Sequence, residues 1–351
     1  MNTIHVEASK NYDVLVGNDL LQNVDTYLLS VLKHTCKLAI ISDSNVWALY
    51  GSTVTKKFSD AGFDVIEFAF PAGEFSKTAD TYLKIINFLA ENHISRSDAI
   101  IALGGGVTGD MTGFAAATFL RGIKFIQIPT SLLAMVDSSV GGKTAIDLAT
   151  GKNLVGAFYQ PELVICDLNM LNTLPEPVFI DGCAEVIKYG VLYDAELYNH
   201  LDTFGLNFDR EYVISRCIAL KRDVVCQDEF DTGARQKLNL GHTIGHGIEA
   251  QSNYFISHGQ AVAIGMAIVS KAGAKLGYCD RNTARSIAEI LKKFHLPTTT
   301  QYSSEQLYNT ALSDKKRNGN TVNLIVPQKI GNCMIVATPI NQLESFIKEG
   351  L

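Results

Sequence analysis

The chain has 351 residues, 47% of them hydrophobic and 19% charged, with a formal net charge of -6. That is enough chain for a sizeable core and about two domains, and the acidic balance excludes a general nucleic-acid binder, whose footprint is basic. Seven cysteines (Cys36, Cys166, Cys183, Cys217, Cys226, Cys279 and Cys333) form no C-x-x-C pair and are odd in number. They give no sign of a disulfide framework or a cysteine-ligated zinc, and free buried thiols are expected. The N-terminus carries no cationic segment leading into an apolar one, and no apolar run approaches membrane-spanning length, so a soluble cytoplasmic protein is expected.

The first half alternates short apolar runs with helical patterns. KLAIISD (37–43), DVIEFAF (64–70), DAIIALGGG (98–106), KFIQIPT (124–130) and LVICDL (163–168) read as strands. TADTYLKIINFLAENH between them repeats apolar residues every three or four positions, as an amphipathic helix does. Strands alternating with helices predict an α/β domain with a mostly parallel sheet covered on both faces. After Leu174 the prolines Pro175 and Pro177 punctuate the chain and strand patterns become scarce. YVISRCIALKRDVVCQ, QAVAIGMAIVSKAGAKLG and NTARSIAEILKKFH read as helices, and TVNLIVPQKIGNCMIVATPI as a small hairpin. The expected organisation is an α/β domain over 1–173 and a mainly α-helical domain over 174–351.

Residues 104–110 read GGGVTGD, so Gly104, Gly106 and Gly109 satisfy G-x-G-x-x-G after a strand and before a helix. Such a turn lets backbone N–H groups approach a pyrophosphate, although a tight strand-to-helix turn that binds nothing has the same pattern. The loop follows three earlier strands, with no acid about 20 residues on, so it departs from the ordinary Rossmann arrangement. Asp43, at the end of its strand, is a candidate for a ribose; its other reading is a helix N-cap. From 121 to 153 the chain gathers Arg121, Asp137, Lys143, Lys152 and Asn153 among glycines, with Thr130 and Ser131 just past a strand end. Solvated loop lysines explain any one of these, but the set fits a phosphate-bearing ligand. The P-loop spacing is not met.

In GCAEVIKYG, Glu185 and Lys188 stand three apart on one helical face. Amid Cys183, Ala184, Val186 and Ile187 a half-buried pair is expected, and a buried carboxylate wants a cation or a metal. LNLGHTIGHGIEAQSNYFISHG holds His242, His246 and His258. His242 and His246, four apart, could share one metal, yet without the glutamate of H-E-x-x-H the spacing leaves structural and metal-binding readings open. Imidazoles near Glu185 would suit zinc, which accepts both ligand types and keeps a position open in catalytic sites.

Taken together, ALGGGVTGD, ATFLRGIKFIQIPTSLLAMVDSSVGGKTAID, GKNLVGAFYQP, GCAEVIKYG, LNLGHTIGHGIE and HGQAVAIGM resemble the 3-dehydroquinate synthase family of sugar phosphate cyclases, over nearly the whole chain. The resemblance implies a Rossmann-like domain and a helical domain with the active site in the cleft between them. It implies NAD and a divalent metal, usually Zn2+, with Co2+ able to substitute. The implied metal ligands are Glu185, His242 and His258, leaving His246 to the substrate. NAD contacts fall on Asp43, Glu74, Lys77, Gly105, Gly106, Val107, Asp110, Thr130 and Ser131. Substrate contacts fall on Asp137, Lys143, Lys152, Asn153, Lys188, Lys221, Arg235, Asn239, His246 and Lys315, with Lys316 beside the last leaving the register open. His246, Lys143, Lys188 and Asp137 are the implied catalytic set. Arg121 matches a residue that reaches the neighbouring subunit's phosphate site, which implies a homodimer.

The implied reaction borrows a hydride from a carbinol of a seven-carbon sugar phosphate, eliminates phosphate, returns the hydride and closes a carbocycle by aldol addition. One departure from the family pattern stands out: DEFDTGAR has Asp231 where a glutamate is expected. The rival readings are another sugar phosphate cyclase and an NAD–metal polyol dehydrogenase; phosphate-seeking lysines argue against the latter.

Overall fold

A computed structural model describes residues 1–253, 255–312, 317–318 and 320–351, with backbone alone at 312, 317 and 318. The chain divides into two compact units. Met1–Leu174 and Cys217–Phe230 form the first, Pro175–Arg216 and Asp231–Leu351 the second.

The first unit is built on strands β1 (Asn2–Val6), β2 (Tyr12–Gly17), β3 (Lys37–Asp43), β4 (Asp64–Phe70), β5 (Ala99–Gly104), β6 (Lys124–Pro129), β7 (Lys143–Leu148), β8 (Gly151–Phe158) and β9 (Leu163–Asp167). Seven of these form one sheet in the order β1-β2-β9-β6-β5-β3-β4, and β7 pairs with β8 in a separate antiparallel hairpin. Every pairing in the large sheet is parallel except β1 with β2. The five strands expected from the sequence are present. The four inside the sheet, β3, β5, β6 and β9, were legible because a parallel strand covered on both faces is mostly apolar; all six residues of β5 are buried, whereas β4, at the edge, is mostly exposed or half-buried.

Helix α1 (Ala79–Glu91) starts at Thr78, whose side chain accepts the Thr81 amide, and it buries Ile85 and Leu89 one turn apart. With helix α2 (Gly106–Thr118) it covers β5, so that Ile85, Leu89, Met111, Phe114, Ile100 and Phe125 share one core.

The second unit carries helices α3 (Glu176–Tyr193), α4 (His242–Gln251) and α5 (His258–Lys275), with further helices at Arg281–Lys293 and Ile340–Gly350. Pro177 lies in the first turn of α3, where its missing N–H costs nothing. Strand β10 (Arg317–Asn318) and the expected hairpin, β11 (Thr321–Lys329) with β12 (Asn332–Pro339), form a small antiparallel sheet. Among the described residues no helix is long and apolar enough to cross a membrane. Four of the seven cysteines are buried and Cys36 and Cys279 partly so, but Cys226 is exposed, contrary to the expectation that all are buried.

Candidate active site

In the first unit the carboxyl ends of β3, β5 and β6 bring several of the expected cofactor residues together. Asp43 caps the short helix Ser44–Val46, accepting the amides of Asn45 at 3.0 Å and Val46 at 3.1 Å, while its other oxygen accepts Thr108 Oγ1 at 3.3 Å. Capping and a place beside the glycine turn therefore coexist. No side chain caps the first turn of α2, which leaves its leading N–H groups to other partners. The Thr130 amide donates to Gly104 O at 3.0 Å, and a Cβ on Gly105 would meet only Ser131 Oγ, at 3.5 Å. A side chain at 105 would fill the space before the turn. This is the crevice where open α/β sheets hold ligands.

Beside it lies a charged network. Lys77 Nζ, its side chain 5% exposed, donates to Asp110 Oδ2 at 2.6 Å and to Asn153 Oδ1 at 2.5 Å. Lys152 Nζ is 3.2 Å from Glu74 Oε1. Burial alone would push the Lys77 ammonium down; Asp110 and Glu74 outweigh it and push it up, so Lys77 stays charged. Residues expected at the cofactor (Glu74, Lys77, Asp110) thus share bonds with residues expected at the substrate (Lys152, Asn153). Asp147 joins them unforeseen: its carboxylate accepts the Asn153 amide at 2.7 Å and its own amide donates to Lys77 O at 2.8 Å. Lys221 Nζ pairs with both the carboxylate and the carbonyl of Asp137. Lys143 opens β7 and is exposed, as is Arg121. Arg121 sits at φ 67° between Leu120 at 51° and Gly122 at 118°, three left-handed residues in succession.

In the second unit a carboxylate and three imidazoles converge. Glu185 of α3 has no exposed surface, and Lys188 Nζ, one turn on and 1% exposed, pairs with its Oε2. The expected half-burial of this pair is wrong: α3 is buried on every side from Gly182 to Leu192, and the pair is enclosed. Glu185 Oε1 lies 3.3 Å from His242 Nε2 and 3.5 Å from His258 Nε2. The enclosed carboxylate thus has the Lys188 ammonium at one oxygen and two imidazoles at the other, the kind of pairing that a buried charge requires.

The helices fix this arrangement. Asp181, one turn before Glu185, accepts the Ser257 hydroxyl and, at 3.1 Å, the Gln260 amide. A Cβ on Gly259 would stand 1.9 Å from Asp181 O. The start of α5 is thereby clamped to α3, with His258 beside Glu185. His242 follows Gly241 (φ 79°), whose carbonyl oxygen lies 2.0 Å from where a Cβ on Gly265 would be. The start of α4 therefore lies directly against α5.

His242 Nδ1 is 3.0 Å from Leu240 O. Donation there leaves the Nε2 lone pair facing Glu185, the orientation of a metal-binding imidazole. Burial pushes His242 down to about 4, despite the charge of Glu185. For His258 burial acts in the same direction, but the carboxylates of Glu185 and Glu249 outweigh it and push that imidazole up to about 10. Burial would likewise raise Glu185; Lys188 and His242 outweigh it and hold the carboxyl well below the usual range. Glu185, His242 and His258 each offer a ligand atom within 4.8 Å of the others, and so do His246, Glu249 and His258. The first group, two imidazoles and a carboxylate, has the donor set of a catalytic zinc site.

His246 is half-buried, its ring 5.6 Å from that of His242. Arg235, 2% exposed, and Asn239 belong to the helical turn Ala234–Asn239 just ahead of α4. Asp231 is half-buried at φ 59°. Lys315 and its neighbour Lys316 lie outside the described residues. A cavity of about 560 Å³ elsewhere in this unit, lined by residues such as Lys271, Arg285 and Tyr302, includes none of these groups.

The fold as a whole is that of the sugar phosphate cyclases. A 2-deoxy-scyllo-inosose synthase, solved in complex with carbaglucose-6-phosphate, NAD+ and Co2+, superposes with a TM-score of 0.90 at 25% identity, covering all of both chains. The sequence narrows this further. Residues 67–181 match the family described as 3-dehydroquinate synthase N-terminal, and residues 182–317 its C-terminal counterpart. The 3-dehydroquinate synthase of Clostridium acetobutylicum is 44% identical over 355 residues, spanning 99% of this chain and 99% of its own. That of Streptococcus suis is 42% identical over 344 residues, spanning 96% and 97%. The chain belongs to the 3-dehydroquinate synthase family.

Proposed function

We propose that the chain converts 3-deoxy-D-arabino-heptulosonate 7-phosphate into 3-dehydroquinate and phosphate, a lyase step of the shikimate pathway toward chorismate and the aromatic amino acids. The observation that carries this reading is the enclosed Glu185 carboxylate facing Nε2 of both His242 and His258, in a chain related end to end to synthases of that name. Glu185, His242 and His258 would hold a divalent cation, zinc or cobalt. Asp43, Glu74, Lys77, Gly105, Gly106, Val107, Asp110, Thr130 and Ser131 would hold NAD, against a turn that a side chain at 105 would block. When bound, NAD supplies a reversible hydride acceptor for a carbinol, and the metal polarises the oxygen of that carbinol.

The chain's own groups do the rest. Lys143, Lys152, Asn153, Lys188 and His246 hold the substrate phosphate so that one of its own oxygens removes the neighbouring proton, a gain from fixed proximity. Arg235 presents a bidentate fork to the substrate carboxylate, with Asn239 beside it in the same turn. Asp137 and Lys221, already paired, bind the hydroxyl-bearing part, and Lys315 completes the set. Lys77 bridges cofactor and substrate residues through Asp110 and Asn153. Arg121, exposed and held by left-handed backbone, would serve the phosphate site of a second copy in a homodimer, and the protein would work in the cytoplasm.

The test is incubation with the heptulosonate phosphate, NAD and Zn2+. Phosphate and the carbocycle should form with no accumulation of NADH absorbance. Accumulating NADH would mean a net dehydrogenase, and an untouched heptulosonate phosphate would mean another cyclase.

A further inference from the structure

We infer that Glu249 is a positioning residue: its buried carboxylate holds Nδ1 of His258 and so aims Nε2 of that imidazole at the cation. This rests on the reading of Glu185, His242 and His258 as the cation's ligands.

The argument begins with helix register. Helices α4 and α5 run antiparallel with their backbones in contact. A Cβ on Gly265 would stand 2.0 Å from Gly241 O, and one on Gly245 would stand 3.0 Å from Ala261 O. Each step of four residues forward on α4 is matched by four back on α5. The next step places residue 249 opposite residue 257, at the start of α5. There Glu249 Oε2 lies 3.3 Å from His258 Nδ1. Glu249 also stands seven residues after His242, on the same helical face. It is 3% exposed, a burial that a carboxylate tolerates only with a hydrogen-bonded partner.

The His258 ring thus spans two carboxylates, Glu249 at Nδ1 and Glu185 at Nε2, the latter at 3.5 Å. Both carboxylates can only accept, so once Nε2 gives its lone pair to a cation the proton that remains on the ring lies on Nδ1, where Glu249 accepts it. That tautomer leaves the Nε2 lone pair free, and turning the ring would break the contact between Nδ1 and Glu249 Oε2. His242 is oriented in the same way by Leu240 O at 3.0 Å. The difference is that its anchor is backbone, whereas the anchor of His258 is a side chain that can be changed. His246, Glu249 and His258 also lie close enough to share an ion. In that arrangement Nδ1 of His258 would be a ligand and would lose its proton donation to Glu249, so the two roles exclude each other.

The experiment uses the full-length chain with Zn2+ and Co2+ alone. Zinc affinity is measured by chelator competition, and the cobalt d–d absorption band is recorded. Glu249→Gln keeps the shape and an acceptor oxygen; Glu249→Ala keeps neither. The expected order of zinc affinity is wild type, then Gln, then Ala, with a total loss of about 10- to 100-fold and an altered cobalt band. Metal-free unfolding of Glu249→Gln should match wild type, which separates positioning from a packing role. If Glu249→Gln and Glu249→Ala both bind zinc as wild type does, with the wild-type cobalt band, the inference is overturned while the site stands. Two ions bound by wild type and one by Glu249→Ala would also overturn it, because Glu249 would then be a ligand. Glu185→Gln is the separate control: it should abolish the cobalt band, and retention of the band would sink the ligand assignment itself. If Glu249→Ala fails to fold, the isosteric Gln variant carries the decision alone.

Discussion

The geometry of the carboxylate–imidazole cluster depends on backbone contact between α4 and α5, and Gly265→Ala tests that dependence. The added Cβ would stand 2.0 Å from Gly241 O and 2.9 Å from Gly241 C. A comfortable carbon–oxygen contact is about 3.3 Å, so the helices must separate by roughly 1.3 Å. Both obstructing atoms are backbone, and no rotamer change relieves them. Overpacking of this kind costs about 1–3 kcal/mol. Gly241 immediately precedes His242, so the separation carries His242 Nε2 away from Glu185 Oε1, now 3.3 Å distant. Metal ligands tolerate displacements of only about 0.2 Å, and zinc affinity should fall on the order of 100-fold. Urea unfolding of the metal-free protein reads the first effect and chelator competition the second. Gly277→Ala is the control: its φ of 81° strains any side chain, but nothing lies within 4 Å. It should lose about 1 kcal/mol of stability with unchanged zinc affinity. Zinc binding by Gly265→Ala equal to that of wild type would refute the claim that this contact sets the cluster.

Further outcomes follow from other enclosed groups. Lys188→Met strands the Glu185 carboxylate without its cation, and the metal-free protein should lose about 3–5 kcal/mol; saturating zinc should restore part of that loss, and equal losses with and without zinc would contradict the pairing. Asp194 caps the helix Ala195–Phe204 and pairs with Arg216; burial would raise its carboxyl, but the Leu197 amide and Arg216 hold it below the ordinary value. Its depressed pKa therefore contributes stability above pH about 4 that is lost as pH falls through the folded value. Arg216 is half exposed, so Asp194→Asn, which keeps a capping oxygen, should cost well under 1 kcal/mol at pH 7, and in urea unfolding that cost should shrink as the pH is lowered through the folded value. Titration of the native protein with a thiol reagent should show one fast cysteine, Cys226, while Cys333, whose thiol burial pushes up to about 12, reacts only on unfolding.

The strands most legible in the sequence are those whose environment is simplest. β3, β5 and β9 are apolar runs because helices or neighbouring strands cover them everywhere, and a pattern rule detects that directly. β1 and β2 escaped it: within Asn2–Val6 buried and exposed residues alternate only from Thr3 to Val6, too short a run to separate from a loop. The β7–β8 hairpin was hidden for a different reason. Its strands carry Lys143, Lys152 and Asn153, and polar residues beside glycines read as a ligand loop. Polar residues there mask the strand pattern, and the antiparallel register Lys143↔Phe158 leaves no mark in composition.

The cluster around Glu185 shows the same limit more sharply. Spacing along α4 pairs His242 with His246, since four residues make one turn, and that periodicity is all a single helix offers. Which imidazole reaches Glu185 is decided between helices, by where their backbones touch. The touching points are Gly241 against Gly265, and Gly259 against Asp181, and no period links them. Once that register is known, His258 falls beside Glu185 and Glu249 falls beside His258 with no further assumption. Glu249 left a faint signal all the same: an acid seven residues beyond a histidine, in a helix otherwise buried along that face, is a carboxylate that needs a donor. An imidazole carrying its proton on Nδ1 meets that need, and the same proton placement is what turns Nε2 toward a cation. The demand for a buried hydrogen bond and the demand for an oriented ligand are thus met by one contact, which is why the side chain at 249 must be both short of solvent and able to accept.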